Sequence, residues 1–320
     1  MIVRRASPED RSRIIELCRA SLGWKAGDPN ERFFAWKHDD NSFGPSPAWV
    51  AEAEGRLLGL RAFLRWRFRD DDGAVLHAVR AVDTATHPDA QGRGIFTKLT
   101  LGALPDLREM GIDFVFNTPN DKSRPGYLKM GWGDVGKVPV GVRVARPSSF
   151  RAVLGARVPA EKWSQPSTVG LSAAEAFVDD VEVEALLAGV GRPRGITTDR
   201  DAAYLRWRFS FEPLHYRVVP VGDSIRDGVV VVRFRRRGAA LEATVAELLT
   251  ESPSSARSAV TAILQQSGAD YAIAAGGREL VGGGFVPAPL GPILTWKAVT
   301  RVGVPVPSEL SLAMGDVELF

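Results

Sequence analysis

Two glycines, Gly92 and Gly94, lie where a strand-like run of the chain gives way to a helical one. Glycine allows the backbone to come close to a ligand and to adopt positive φ angles, and the first amide groups of a helix have no partner inside the helix. Together these features form a site for anions. The residues therefore predict that a phosphate-bearing cosubstrate binds at this turn.

A strand, a helix and a second strand are predicted around the turn. Residues 81–86 read as the first strand and residues 112–116 as the second, while apolar residues recur at three- and four-residue spacing over residues 96–110. Pro105 lies within the helical run, so we expect a kink there or a break into two shorter helices. Elements in this order form a βαβ unit, whose two strands are normally parallel.

Two well-known phosphate-binding motifs do not match this turn. A nucleoside-triphosphatase loop needs Lys-Ser or Lys-Thr after its last glycine, where this chain has Ile95 and Phe96. A dinucleotide-binding turn needs a third glycine at the position of Thr97. In isolation, a tight turn that binds no ligand explains the glycines equally well, so the choice depends on the residues that follow.

A second pattern follows the βαβ unit. Its members, at fixed spacing, are Asn120, Ser123, Tyr127, Gly131 and Trp132. Together with Gln91 and Gly94, which match a Gln/Arg-x-x-Gly-x-Gly/Ala turn, this pattern resembles the GNAT superfamily of acyl-CoA-dependent N-acyltransferases. The chain departs from the family at two places: Phe96 stands where Gly or Ala is preferred, and Pro125-Gly126 lies in what should be a short helix.

The resemblance implies acetyl-CoA as the cosubstrate. Its pantetheine arm would run along the first strand, and its pyrophosphate would accept hydrogen bonds from the backbone amides of the turn. The residues implied in cofactor binding are Ala85, Thr86, Gln91, Gly92, Arg93, Gly94, Ile95, Phe96, Asn120 and Ser123. The side chains of Arg93 and Lys98 add positive charge beside the phosphates.

Acyl transfer to an amine needs a base for the amine proton, and the departing thiolate benefits from a proton donor. The resemblance implies that Tyr127 protonates the thiol sulfur, whereas a tyrosine of the core would have no such role. Asp83 is the candidate base, acting through a water, because alternation along the strand places it on the face of Ala81 and Ala85. A carboxylate on a central strand is costly to bury without a purpose, although Asp83 could equally be a structural centre of hydrogen bonds.

The length of 320 residues favours two domains. The resemblance covers roughly residues 1–140, and we expect a first GNAT domain at residues 1–145. A linker is expected at residues 146–169, where Pro, Ser and Arg occur without clear periodicity, and a second domain at residues 170–320.

The second half repeats the order of elements in the first. Residues 33–38 and 204–209 share an aromatic-x-x-Trp-basic pattern, and strand-like and helical runs follow each of them. The turn before the second-half helix, residues 251–255, has no glycine pair, and Glu251 would repel a pyrophosphate. We expect an α/β fold (α+β mixed sheet) of two GNAT-like domains in tandem, each with a mostly antiparallel mixed sheet, a splayed parallel strand pair and flanking helices. The second domain is expected to lack cofactor binding, and an unrelated α+β domain is the alternative for it.

Other classes of protein match less well. The chain has no His-Glu-x-x-His or Cys-x-x-Cys spacing, which argues against a metal, and no Gly-x-Ser-x-Gly elbow. The net charge is only +3, and the basic run at residues 233–237 is expected to end an exposed strand at Gly238, so it is weak support for a nucleic-acid partner. The absence of a long apolar segment and of a signal-peptide core argues against a membrane. A single cysteine, Cys18, suits a buried thiol in a reducing cytoplasm.

Three functions are compatible with these residues. The first is an acyl-CoA-dependent N-acyltransferase, most simply an N-acetyltransferase, that acts on the amine of an unknown small molecule or peptide. The alternatives are a non-catalytic acyl-CoA-binding regulatory module and a tandem-GNAT aminoacyl transferase that uses charged tRNA, against which the phosphate turn argues. We expect either a monomer with two similar halves or a homodimer.

Overall fold

A computed structural model describes residues 1–156, 158–277, 279–300 and 303–318. The strands are β1 Ile2–Arg5, β2 Ala48–Ala53, β3 Arg56–Arg69, β4 Val75–Thr86, β5 Phe114–Asn117, β6 Gly133–Lys137, β7 Val140–Val144, β8 Leu171–Ser172, β9 Ile196–Thr198, β10 Arg217–Pro220, β11 Val229–Arg237, β12 Ala240–Leu249, β13 Tyr271–Ala275, β14 Val286–Ala288, β15 Ile293–Ala298 and β16 Leu310–Ser311. The α-helices are α1 Arg11–Leu22, α2 Asn30–His38, α3 Ile95–Gly102, α4 Leu104–Glu109, α5 Arg124–Lys129, α6 Phe150–Gly155, α7 Ala173–Ala176, α8 Asp180–Val190, α9 Ala202–Phe209, α10 Pro253–Ser267, α11 Glu279–Gly282 and α12 Met314–Val317.

The chain forms two compact units, and neither is continuous in sequence. The first unit comprises residues 1–136 and 293–306, and the second comprises residues 137–292 and 307–320. The division differs from the contiguous domains expected, because each unit takes a strand from the other half of the chain. The region expected as a linker, residues 146–169, contains helix α6.

A mixed sheet forms the centre of the first unit, with strand order β1-β2-β3-β4-β5-β15-β6. The long hairpin β3–β4 is antiparallel, whereas β4 and β5 run parallel. Their parallel pairing spans Ala78 to Arg80 on β4 and stops there, although β4 continues to Thr86. The two central strands therefore diverge at their carboxyl ends, as expected for a βαβ unit of this fold.

A bulge interrupts the β3–β4 hairpin beside this divergence. Leu60 pairs with Ala85 and Ala62 pairs with Val82, so the single residue Arg61 on β3 faces two residues, Asp83 and Thr84, on β4. Asp83 has a φ of 44°, in the left-handed region. A bulge bends the strand and redirects its side chains, so simple alternation does not hold through this point.

Helices α3 and α4 cover one face of the first sheet. Apolar side chains of β2–β5 and of these helices form one cluster with Tyr127 of α5 and with Trp132. Its members from the strands and from α3 and α4 include Trp49, Phe63, Val79, Ala81, Ile95, Leu99, Leu107 and Val115. The helix predicted over residues 96–110 is divided at Ala103, with Pro105 in the first turn of α4, because proline lacks the amide that would continue the helix. Cys18 of α1 is fully buried, as predicted.

The sheet of the second unit has the same plan, with strand order β14-β7-β13-β12-β11-β10-β8. Its hairpin β11–β12 is antiparallel, β12 and β13 are parallel, and β7 pairs antiparallel with β13. The hairpin again has a bulge, because Val231 pairs with Glu247 and Val232 with Val245, leaving Ala246 as the extra residue. The fold of two GNAT-like domains in tandem, each with a mixed sheet and a diverging parallel pair, is therefore confirmed.

In each sheet, a strand from the opposite half of the sequence lies beside the parallel pair. In the first sheet β15 pairs antiparallel with β5, with Thr295 opposite Asn117, and in the second sheet β7 pairs with β13, with Val142 opposite Ile273. Each added strand lies next to the second strand of a parallel pair. Since such pairing joins residues far apart in sequence, periodicity within each segment did not indicate it.

The basic run at residues 233–237 ends strand β11 at a hairpin turn with Gly238, as expected, but of its four arginines only Arg236 is exposed. Arg233 is fully buried, and its guanidinium donates to Glu318 at 2.6 Å (Nε to Oε1). Arg235 and Arg237 both donate to Glu242, at 2.8 and 2.7 Å. Burial alone would raise the pKa of Glu242, but these two cations lower it to about 2. These three arginines therefore form ion pairs with buried carboxylates of the second unit.

Helix α12 covers the bulge of the second sheet. A Cβ atom on Gly315 would lie 3.1 Å from the carbonyl oxygen of Ala246, the extra residue of that bulge. Asp316 is fully buried and accepts hydrogen bonds from Thr198 at 2.8 Å and from Arg200 at 3.1 Å. In the second unit, helix α12 therefore occupies the space beside the β12 bulge.

Candidate active site

The glycine turn adopts the geometry that the sequence predicted. Gly92 and Gly94 have φ angles of 76° and 71°, and Gly94 is the residue before the first turn of α3. No side chain caps the helix at Gly94, and residues 91–94 are exposed. The guanidinium of Arg93 donates to the carbonyl of Asp89 at 2.9 Å. The first amides of α3 are thus directed at an open, uncapped turn, which is the arrangement that binds anions.

A glycine on the neighbouring strand lets α3 lie close to the sheet. A Cβ atom on Gly59 of β3 would lie 2.9 Å from Leu99 and closer still to Ile95, both buried residues of the helix. Gly59 pairs with Thr86 at the end of β4. The height of the turn above the strand end therefore depends on the missing side chain of Gly59.

The two departures from the family pattern compensate for each other. Pro125 lies in the first turn of α5, where a missing amide costs no helical hydrogen bond. A Cβ atom on the next residue, Gly126, would lie 2.9 Å from Cε1 of Phe96. The ring of Phe96 contacts the ring of Tyr127 edge to face, with 5.2 Å between centroids. Gly126 thus makes room for the large residue at the start of α3.

This compensation predicts the outcome of Gly126→Ala. Alanine is the better helix former, yet its methyl group would push against Phe96, so we expect a loss of about 1–3 kcal/mol in unfolding free energy. In a Phe96→Leu background the ring is gone, and the same substitution should be neutral or stabilising. Urea unfolding of the four proteins measures this coupling. An equal cost in both backgrounds would show that the two residues do not compensate.

The strand residues expected along pantetheine lie at the diverging end of β4. Ala85 is buried and pairs with Leu60, and Thr86 pairs with Gly59, both on the β3 side. The β5 side of β4 has no strand pairing beyond Arg80 in the described residues. This side of the strand end is where an extended ligand could form backbone hydrogen bonds.

Asn120 and Ser123 form the start of α5. The Oδ1 atom of Asn120 accepts hydrogen bonds from the amides of Lys122 at 3.1 Å and Ser123 at 3.0 Å, and from the Ser123 hydroxyl at 3.1 Å. Ser123 is the residue before the first turn of the helix. Both residues therefore have a local structural use, since they set the position of α5 and with it Tyr127.

Tyr127 is buried, and its hydroxyl group lies inside the first unit rather than at the surface. The guanidinium of Arg61, from the bulge of β3, donates to this hydroxyl at 2.6 Å (Nη2 to Oη). The other terminal nitrogen of Arg61 donates to the hydroxyl of Thr84. The bulge and helix α5 are therefore joined through one arginine.

Asp83 points toward helix α2 and not toward the face of Ala81. Its Oδ2 atom lies 2.9 Å from the Lys37 ammonium and 2.7 Å from Nε2 of His38, whereas Ala81 packs in the cluster with α3. Burial alone would raise the pKa of Asp83, but Lys37 and His38 hold it well below its usual range. Burial lowers the pKa of His38, so its imidazole is neutral at pH 7. The bulge explains the change of face, because it breaks the alternation on which the expectation rested.

Removal of the Asp83 charge should destabilise the first unit. Asp83→Asn keeps the size and the tolerance for a left-handed backbone, but leaves the buried Lys37 without its carboxylate, so we expect a loss of about 3–5 kcal/mol at pH 7. The lowered pKa of Asp83 means that its contribution exists above the unfolded pKa of about 3.9 and is lost as the pH falls. The difference between the two proteins should therefore narrow from about pH 5 downward. Denaturant unfolding over about pH 2–7 measures it, and a difference that does not change with pH would contradict this assignment.

The corresponding helix of the second unit differs from α3 in having a side-chain cap. Ser252 precedes the first turn of α10, and its hydroxyl accepts a hydrogen bond from the backbone amide of Ser255 at 3.2 Å. The same hydroxyl lies 3.0 Å from the hydroxyl of Ser254. The serine cap thus gives one backbone amide in the first turn of α10 a hydrogen-bond partner. Of the two helices α3 and α10, only α3 begins without a side-chain cap.

Sequence reasoning did not identify Arg61, Lys37 or His38. Arg61 is one of several arginines in strand β3, and its neighbours come from elements far apart in sequence. Lys37 and His38 carried a signal, since they end the aromatic-x-x-Trp-basic pattern that recurs near Arg208. That repeat marked a shared element, and its basic positions are buried in both units.

The described residues include no group of three or more His, Cys, Asp or Glu side chains that could hold a metal ion. Among these same residues, none of the helices has the length and apolar character needed to cross a membrane.

Comparison with known proteins agrees with this geometry. The sequence model of the acetyltransferase (GNAT) domain matches residues 2–135. None of the curated proteins compared with the chain matches it.

Solved structures share the fold across both units. A probable N-acyltransferase from Enterococcus faecalis V583 aligns over 93% of this chain and 73% of its own, with 13% identity and a TM-score of 0.64. Eis1 from Mycobacterium abscessus aligns over 94% and 74%, with 15% identity and a TM-score of 0.58. A GCN5-related N-acetyltransferase from Kribbella flavida aligns over 93% and 71%, with 13% identity and a TM-score of 0.61. By this match residues 2–135 are an acetyltransferase (GNAT) domain, and the protein is an acyltransferase.

Proposed function

We propose that this protein is an N-acetyltransferase that moves an acetyl group from acetyl-CoA directly to the amine of a small molecule or peptide. The observation that carries the proposal is the open turn at Gly92 and Gly94, whose helix amides have no side-chain cap. The serine-capped start of α10 in the second unit is the internal contrast, and it supports a single cofactor site per chain.

Acetyl-CoA would bind at the diverging end of β4 and β5. Its pyrophosphate would accept hydrogen bonds from the amides of Gln91 to Phe96, and the exposed side chains of Arg93 and Lys98 would add positive charge. Pantetheine would pair with the backbone at Ala85 and Thr86, in the manner of an added strand.

Tyr127 would supply the proton for the leaving thiolate. Its hydroxyl accepts a hydrogen bond from Arg61, which leaves its own O–H free to donate to the sulfur of the thioester. A positioned acid of this kind typically contributes about 10²–10⁴-fold to the rate.

His38 and Asp83 would together form the general base. A carboxylate with a lowered pKa is a weak base, whereas the neutral imidazole of His38 can accept a proton while Asp83 holds its Nε2–H. Nδ1 of His38 has no hydrogen-bond partner in the described structure. The amine proton would reach this atom directly or through a water, and the imidazolium formed would be stabilised by Asp83.

The proposed reaction is balanced in atoms and charge. The amine nitrogen forms a bond to the acetyl carbon, the carbon–sulfur bond breaks, and the amine proton passes to the base. The sulfur takes a proton from Tyr127, which regains one from solvent, while the base returns the amine proton to solvent. The products are the amide and free coenzyme A.

The test is release of free thiol from acetyl-CoA by the purified chain across amines, amino sugars, peptides and aminoglycosides. The single cysteine, Cys18, is fully buried, so a thiol reagent should report coenzyme A with little background from the protein. Mass spectrometry of the acceptor should show an added acetyl group. Binding of acetyl-CoA without thiol release from any amine would favour a regulatory module instead, and transfer from charged tRNA without acetyl-CoA would favour an aminoacyl transferase. We place the activity in the cytoplasm because the chain has a single cysteine, which suits a reducing compartment.

A further inference from the structure

Arg61 is an unusual residue for the interior of a sheet. Its side chain is among the largest fully buried side chains of the protein, with 0% of the residue exposed. In the described structure no carboxylate lies within ion-pair distance of its guanidinium, and its Nε atom has no hydrogen-bond partner. Burial of a cation without a counter-charge is expensive. We therefore expect Arg61 to have a function that offsets the energetic cost of its burial.

Aromatic rings replace the missing carboxylate. The guanidinium carbon of Arg61 lies 4.9 Å from the ring centre of Phe63, 5.6 Å from that of Phe96 and 5.2 Å from that of Tyr127. A guanidinium stacks on aromatic faces and is more weakly hydrated than an ammonium, so it suits this environment better than lysine would. Unlike a carboxylate, the rings leave the positive charge unneutralised beside the Tyr127 hydroxyl.

We infer that Arg61 is a positioning residue that fixes the direction of the Tyr127 hydroxyl proton and stabilises the charge left when that proton departs. This inference rests on the proposed role of Tyr127 as the acid. A phenolic O–H lies close to the ring plane, where the oxygen has two main directions for hydrogen bonding. Because Arg61 donates along one of them, the proton points along the other.

The bulge sets the position of Arg61 in turn. Thr84, one of the two β4 residues opposite Arg61, accepts a hydrogen bond from its second terminal nitrogen. The planar fork of the guanidinium therefore spans the strand and helix α5, and holds Tyr127 at a set distance from the diverging strand end. A lysine has no fork and can reach only one of the two hydroxyl groups.

The first test is spectroscopic and does not depend on activity. The chain has four tyrosines, so labelling at ¹³Cζ should give four signals, each assigned by its Tyr→Phe variant. Arg61→Met should shift the Tyr127 signal and leave the other three in place, and Thr84→Val should shift the same signal less. Arg80→Met is the matched control, because Arg80 is also a buried arginine but donates to Thr118. An unmoved Tyr127 signal in folded Arg61→Met would overturn the inference.

The second test is a double-variant cycle in kinetics. Arg61→Met should lower kcat at least about 10-fold with the acetyl-CoA dissociation constant changed less than about twofold, and it should add no further loss to Tyr127→Phe. Independent, multiplicative losses would mean that Arg61 acts only on the fold. If Arg61→Met does not fold, Arg61→Lys and Thr84→Val carry the cycle. Absence of acetyl transfer by the unaltered protein would refute the proposed function, while the tyrosine signals would still decide whether Arg61 holds Tyr127.

Discussion

Gly94→Glu is expected to abolish measurable binding of acetyl-CoA. Gly94 has a φ of 71°, which an L-residue adopts at a cost of about 1–2 kcal/mol, and glutamate would also place a negative charge at the start of α3, where the pyrophosphate is proposed to lie. A like charge about 4 Å away costs about 4 kcal/mol at an effective dielectric constant of 20. Together these costs correspond to a loss of affinity of roughly 1,000-fold or more, which should leave no binding detectable by isothermal titration calorimetry.

Three variants separate charge, backbone and folding in this experiment. Gly94→Ala adds a methyl group that meets no atom within 4 Å, so its loss of affinity reports the φ angle alone. Gly94→Asn should lose less, since asparagine tolerates this backbone region. Gly102→Glu places the same charge at the other end of the same helix, in open space, and should bind normally. Undiminished affinity in folded Gly94→Glu would remove the cofactor from this turn.

Tyr127→Phe is expected to lower kcat by about 10²-fold or more while acetyl-CoA affinity changes little, because only the proton donor is lost. The variant also leaves Nη2 of Arg61 without its acceptor, so we expect a loss of stability of about 1–3 kcal/mol. Single-turnover kinetics at a temperature well below the unfolding midpoint keeps the two effects apart.

Tyr271→Phe is the matched control for this variant. Tyr271 is also buried, and its hydroxyl donates to Glu242 at 2.6 Å, but it lies in the second unit. The Tyr271→Phe variant should therefore have a lower free energy of unfolding and an unchanged kcat. If Tyr127→Phe retains full turnover, Tyr127 is a core residue with a buried hydroxyl, and the acid must be sought elsewhere.

Much of the candidate site was predictable because its signals are local. The left-handed glycines of the turn and the division of the helix near Pro105 each depend on a few adjacent residues. The spacing from Asn120 to Trp132 likewise depends on one short helix and the residues around it. Such features are fixed by backbone preferences that a single segment reveals.

Other features depended on residues that are distant in sequence. Asp83 was expected on the face of Ala81, but the bulge opposite Arg61 turns it toward Lys37 and His38. Arg233 was expected in an exposed strand end, but a carboxylate from the last residues of the described chain, Glu318, lies against it. In both cases the partner of a charge decides its place, and the sequence pattern around the charge does not contain that partner.

The amino-acid pattern thus determines the glycine turn, the order of elements and the likeness of the two halves, since each follows from short-range spacing. The folded chain alone establishes which strands β5 and β13 take as neighbours, where the bulge bends β4 and which cation touches the Tyr127 hydroxyl. The reason is physical: a φ preference or a helical stripe belongs to one segment, whereas a hydrogen bond between Arg61 and Tyr127 exists only after two segments pack together. The turn of Gly92 and Gly94 is encoded locally, and the arginine beside its proposed acid is placed by the fold.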